Sequence, residues 1–156
     1  MATDDFEDLW TAHYWSVTRT AYLITGDVEE AKDCAQEAFV RALQRWSKVR
    51  LLDRPESWVH KVATNLAISS TRRRRFRRGS SPDAVTMLEP VDEDLRRAMS
   101  SLTADQRAVI ALRFYLDWSI EDVAMALDKA PGTVRAVTHQ AMERLRASLK
   151  DNVFDE

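Results

Sequence analysis

The chain has 156 residues, of which 45% are hydrophobic and 31% charged, with a formal net charge of −2 and only three Gly and four Pro. So few chain breakers argue for long helices and short connections rather than a turn-rich all-β chain, and the length suits one ordinary domain or two small helical ones. A single cysteine, Cys34, excludes an intrachain disulfide and a cysteine-cluster metal site.

Cys34 sits beside Ala35 on an apolar helical face and reads as a small buried residue. His13, His60 and His139 are scattered without the spacing of a zinc helix, so no metal and no cofactor is expected. No run of about 18 apolar residues occurs, and the acidic start MATDDFEDLW lacks the basic and apolar segments of a secretory signal. The chain therefore reads as a soluble cytoplasmic protein without membrane insertion. Its near-neutral charge hides a segregation: residues 1–40 carry nine acids against Arg19 and Lys32, whereas residues 41–78 carry twelve Lys and Arg against Asp53 and Glu56. A basic block in a near-neutral chain points to local contact with a polyanion.

In chain order, Phe6, Leu9, Trp10, Tyr14, Val17, Ala21 and Ile24 recur at threes and fours and predict a first helix from about Asp5 to Ile24. Gly26 ends it. Asp27, with Glu30 three residues on, has capping-box spacing and opens a second helix whose buried side is Val28, Ala31, Ala35, Ala38, Phe39, Ala42, Leu43 and Trp46. Its other face, Asp33, Gln36, Glu37, Val40 and Arg41, is mixed. A loop, SKVRLLDR, leads to Pro55 in the first turn of a third helix.

That third helix, PESWVHKVATNLAISSTRRRRFRR, carries the strongest functional signal. Val59, Val62, Ala63 and Leu66 form one apolar stripe, and Trp58, Lys61, Asn65, Ser69 and Arg72 a neighbouring one. A flat aromatic, an amide and cations are the parts that hold phosphates and stack on or hydrogen-bond unpaired bases. The same residues also read as a core tryptophan followed by a solvated helix end. Beyond the arginines, GSSPDAVTMLEPVDED has linker composition and places a domain boundary there, with residues 1–78 before it, 79–92 as linker and 93–156 after it.

In the second half a helix is predicted near Asp94–Ser101. Thr103 with Gln106 then makes a capping box for the next helix, through Val109, Ile110, Leu112, Arg113 and Phe114. Ser119 with Asp122 caps IEDVAMAL, and DKAPG leads to TVRAVTHQAMERLRASL, where Val134, Val137, Ala141, Leu145 and Leu149 keep the helical period. Two helices joined by so short a turn make a helix-turn-helix, whose second helix would enter a major groove. Thr133, Arg135, Ala136, His139 and Gln140 lie at or near its exposed side, and its N-terminus adds positive potential. A helix-turn-helix that packs only against protein has the same pattern.

Taken together, DVEEAKDCAQEAFVRALQRW and RPESWVHKVATNLAISSTRR resemble region 2 of bacterial sigma factors. LTADQRAVIALRFYLDWSIEDVAMALDKAPGTVRAVTHQAMERLR resembles their region 4. The order and spacing of the two regions over nearly the whole chain resemble the extracytoplasmic-function (ECF) group of the sigma-70 family, in its actinobacterial branch. The resemblance implies an all-α protein of two small helical domains joined by a flexible linker, with no catalytic residues. It implies binding of bacterial core RNA polymerase through Asp33, Gln36, Glu37, Val40 and Arg41. It further implies minus-10 promoter contacts by Trp58, Lys61, Asn65, Ser69, Arg72 and Arg73, with the loop Ser47 to Arg54 capturing an extruded base. Minus-35 contacts would come from Pro131, Thr133, Val134, Arg135, His139 and Gln140.

Family members are commonly held by an anti-sigma factor. The chain departs from the family pattern at Ser69, where an acid is frequent; at Asp128, where Gly is usual; and at Ala130 and Ala136, where Ser is usual. The main rival is a free-standing helix-turn-helix regulator, which leaves the basic block unexplained. A nuclease is a weaker one, since no paired carboxylates, Walker loop or metal cluster appears in the sequence.

Overall fold

The structure, a computed structural model, describes residues 2–77 and 93–154, and among them there is no strand. The chain divides into two compact units, Met1–Ser81 and Pro82–Glu156. The linker expected at 79–92 lies outside the described residues.

In the first unit three long helices pack on one another: α1 (Ala2–Thr25), α2 (Val28–Gln44) and α4 (Pro55–Arg77), with a single turn of helix, α3 (Trp46–Val49), between the last two. Gly26 separates α1 from α2 at φ +70, a left-handed conformation that a side chain would strain even though open space surrounds it. Asp27 caps α2 by accepting the Glu30 backbone N–H at 3.1 Å. The expected reciprocal bond is absent, because the Glu30 carboxylate crosses to α4 and accepts the Ser70 hydroxyl. Alanines 21, 31, 35, 38, 42, 63 and 67 are buried at these contacts, where their small size lets the backbones approach closely. Phe39 fills the centre, packed edge-on by Phe6 at 6.3 Å and tilted against Trp10 at 4.8 Å.

Two expectations change here. Leu43, expected on the buried side of α2, is 51% exposed. On α4 the buried arc is Val59, His60, Ala63, Thr64, Ala67, Ile68 and Ser70, while Val62 and Leu66 are only half-buried. Contact with both α1 and α2 requires an arc wider than one apolar stripe, and it takes in polar residues.

The second unit contains α5 (Glu93–Ser100), α6 (Ala104–Ile110), α7 (Ile120–Leu127) and α8 (Pro131–Phe154). The Thr103–Gln106 capping box forms in both directions, at 3.2 and 3.0 Å, and the Gln106 carbonyl oxygen also accepts from Arg144 on α8 at 3.3 Å. After α6 the helix widens into a π turn, Ala111–Tyr115, closed by the Leu116 N–H on the Ala111 carbonyl at 3.1 Å. Asp117, at φ 57, reverses the chain, and Arg113 donates to the Trp118 carbonyl at 2.6 Å to brace the bend. Ser119 caps α7, and Asp128 ends it in the left-handed conformation at φ 54, ψ 51. An aspartate tolerates that conformation better than most side chains do. Val109, Leu112, Val123, Leu127, Val134, Ala141 and Leu145 build the core, and Leu149 is 41% exposed.

Candidate nucleic-acid interface

Three surfaces collect the residues singled out from the sequence. On α2, Asp33, Gln36, Glu37 and Val40 are exposed and Arg41 is half-buried. Arg41 donates from Nε to Glu37 Oε1 at 3.0 Å one turn away, so its charge is partly satisfied on its own helix. Leu43 joins Val40 to form an exposed apolar strip inside this polar face. The sequence reading missed Leu43 as part of this face, although its i+3 spacing from Val40 was the available signal.

On α4, Lys61, Asn65, Ser69 and Arg72 are exposed along one line of the helix, and Arg73 is exposed beside it. Trp58 is not fully outward. It is half-buried, packed against the core cluster of Val59, Ala63 and Trp46, and presents only part of its ring. One Asn65 amide hydrogen goes back to the Lys61 carbonyl at 3.0 Å, which fixes the orientation of the side chain on the helix.

The described arginines at the end of α4 differ in environment. Arg74 folds back, with Nη1 donating to the Thr25 carbonyl at 3.3 Å and Nη2 lying 3.7 Å from Asp27 Oδ2, so it clasps α4 to the α1–α2 turn. Arg72 and Arg73 stay on the outer surface.

The buried titratable groups behind this surface are held neutral. Burial, reinforced by nearby His13, pulls the His60 pKa down to about 4. Burial and the carboxylates of Glu30 and Asp33 push the Cys34 thiol up to about 11, against a smaller opposing effect of Arg73. An unreactive thiol at neutral pH suits the structural role read from the sequence. A cleft of about 410 Å³ opens between α1 and the segment preceding α4, lined in part by Leu9, His13, Trp46, Arg50 and Leu51.

On the helix-turn-helix, Pro131, Thr133, Arg135, His139 and Gln140 are exposed, as is Ala136. Val134 is a correction: it is 0% exposed and packs in the core, so its side chain is unavailable to a ligand. Its neighbours in sequence point outward because successive helix positions are about 100° apart. Ala130 supplies the first helical carbonyl, accepting from Val134 N at 3.1 Å, but has no side-chain oxygen for the leading N–H groups. No acid lies in the first turn of α8, so the positive end of the helix dipole is uncompensated there. Arg135 Nη2 lies 3.9 Å from Glu121 Oε1 on α7, and His139 Nε2 lies 3.2 Å from Glu143 Oε1 on α8 itself.

Among the described residues no group of three or more His, Cys, Asp or Glu side chains could hold a metal ion, and no helix is long and apolar enough to cross a membrane. A three-helix unit with a line of exposed amide and cations beside a partly exposed aromatic, and a helix-turn-helix unit with an exposed polar recognition face, together describe a helical DNA-binding protein.

Residues 9–77 match the family described as Sigma-70 region 2, and residues 92–145 match Sigma-70, region 4. The chain is 32% identical to the ECF RNA polymerase sigma factor SigL of Mycobacterium tuberculosis over 92% of this chain and 88% of that protein. It is 27% identical to the ECF RNA polymerase sigma factor SigW of Bacillus subtilis, over 95% of this chain and 90% of that one. Its fold is that of the sigma factor RpoE of Bartonella quintana, solved with the anti-sigma factor NepR, at a TM-score of 0.78 and 22% identity over 94% of this chain and 97% of that chain. The chain belongs to the ECF group of the sigma-70 family, and is an RNA polymerase sigma factor that directs transcription initiation. Members of this family are DNA-binding initiation factors rather than enzymes, and the free-standing regulator is not favoured.

Proposed function

We propose a division of labour among the three surfaces. The outer face of α2 (Asp33, Gln36, Glu37, Val40 and Arg41, extended by Leu43) docks on core RNA polymerase. Its apolar strip inside a polar rim has the composition of a protein interface centre. The α4 line (Trp58, Lys61, Asn65, Ser69 and Arg72, with Arg73) binds the minus-10 element and holds it open. The Pro131, Thr133, Arg135, His139 and Gln140 face of α8 reads the minus-35 element as duplex, residues 1–78 and 93–156 acting as the two DNA-reading domains on either side of the 79–92 linker.

The observation that carries this reading is the α4 line. Extruding a base costs a few kcal/mol, and a partly exposed tryptophan ring beside an oriented amide and cations supplies stacking and hydrogen bonding of about 1–3 kcal/mol per base to offset it. Such a factor works in the cytoplasm, where core polymerase and promoter DNA are found. An anti-sigma factor that covers the docking face would hold it inactive.

The test is co-purification with bacterial core RNA polymerase, followed by transcription from a pool of genomic promoter fragments. Stoichiometric binding and sequence-selective initiation are the expected results. Replacing Gln36 and Arg41 together with Ala is expected to weaken polymerase binding about tenfold while leaving the helical content intact. Unchanged holoenzyme formation by that variant would remove α2 as the docking face.

A further inference from the structure

We propose that Glu121 is a positioning residue that aims Arg135 at a base edge and thereby sets selectivity at one base pair of the minus-35 element. This rests on the duplex-reading role of α8 proposed above. Glu121 lies in the first turn of α7 and Arg135 in the second turn of α8, and their charged groups approach to 3.9 Å across the turn of the helix-turn-helix. Both side chains are well exposed, at 68% and 59%, so the pair adds little to stability. The two helices are already joined by buried Val123, Leu127 and Val134. The consequence of the pair is therefore orientation.

A carboxylate beside a phosphate-facing surface is repelled by DNA unless a cation neutralises it. Arg135 does so as an ion pair at 3.9 Å, and at that distance the donors of its rigid guanidinium fork stay free for a ligand. No other partner meets it among the described residues. Drawn toward Glu121 on one side, the fork is biased to turn its other edge outward as a pair of donors, which matches the two acceptors O6 and N7 of guanine. An arginine without such a brace is drawn to the nearest phosphate, which carries no sequence information. His139 differs: its acid, Glu143, lies one turn further along the same helix, so that pair cannot tie α8 to α7.

The experiment uses the full chain assembled with bacterial core RNA polymerase. A promoter selected from genomic fragments is rebuilt with a randomised minus-35 duplex, and the sequences enriched by wild type, Arg135→Ala, Glu121→Gln and Glu121→Asp holoenzymes are compared. Arg135→Ala is expected to flatten the preference at one position, by about tenfold or more. Glu121→Gln is expected to flatten that same position, by about threefold or more, while raising initiation on unselected sequences because a repelling charge is gone. Glu121→Asp is expected to restore part of the preference.

Preference at the Arg135 position left intact in Glu121→Gln overturns the proposal, as does an equal loss at every position. A wild-type enzyme with no minus-35 preference at all overturns the duplex-reading role of α8 itself, and with it this one. Circular dichroism of each variant verifies that the helix content is unchanged.

Discussion

The α4 and α8 surfaces are both helical and both carry Arg beside an amide side chain, yet they are built differently. On α4 the functional line borders a wide buried arc, and Trp58 belongs partly to the core and partly to the surface. On α8 the division is sharp, with Val134, Ala141 and Leu145 buried and Thr133, Arg135, His139 and Gln140 outside. Under the role proposed for α4, an aromatic ring anchored in a rigid core would suit the capture of an extruded base, because the ring loses little freedom on binding. Under the role proposed for α8, a duplex groove would need side chains that project freely along a narrow strip.

The largest expected effect tests whether each unit carries its own stability. Phe39→Ala removes the centre of the first unit and is expected to cost about 3–5 kcal/mol there, whereas Leu112→Ala is expected to cost about 2–5 kcal/mol in the second. Both residues are 0% exposed. Chemical denaturation followed by tryptophan fluorescence and by far-ultraviolet circular dichroism would show two transitions that move separately; a single shared transition would break the comparison.

Acid should separate the units next. Because the folded pKa of His60, about 4, lies below its unfolded value of 6.5, the unfolded chain binds the extra proton first as pH falls. The stability that neutral His60 preserves is complete above pH 6.5 and is lost as pH drops from 6.5 toward 4, by roughly 3 kcal/mol in all. Denaturation midpoints at pH 7 and 4.5 are expected to fall for the first unit, and the His60→Leu variant is expected to lose most of that dependence.

Promoter assays sharpen the functional side. Asn65→Ala is expected to slow promoter opening about tenfold while closed-duplex binding changes little, whereas Arg135→Ala is expected to weaken closed binding first. Permanganate footprinting of the opened strand and gel retardation of closed complexes distinguish the two, and equal losses in both assays would reduce α4 to an electrostatic surface.

The smallest effect concerns the bare start of α8. Ala130→Ser supplies the missing side-chain oxygen and is expected to stabilise the second unit by about 1 kcal/mol, read as a higher denaturant midpoint for that unit alone.

The features legible in the sequence were those set within four residues of one another. Gly26 and Asp27, the Thr103–Gln106 box and the Ser119 cap all depend on local backbone geometry, and all are present. The line of Lys61, Asn65, Ser69 and Arg72 was legible for the same reason, because helical period alone places them together. The roles proposed for them rest on family resemblance, since periodicity could not provide them.

What stayed hidden depended on residues far apart in the chain. Glu30 leaves its capping box because Ser70, forty residues on, offers a better-placed hydroxyl. Arg74 becomes a clasp because it lies against the α1–α2 turn, while Arg72 and Arg73 are exposed. His60 becomes neutral through the packing of α4 and the nearness of His13, and the apolar Leu43 is left outside because the arc of α2 facing its partners is already filled by Ala35, Ala38, Phe39 and Ala42. Local spacing thus determined which helices form and what chemistry each carries. Which side chains that chemistry leaves available was decided by the third dimension, because burial and charge pairing depend on neighbours that sequence distance does not reveal.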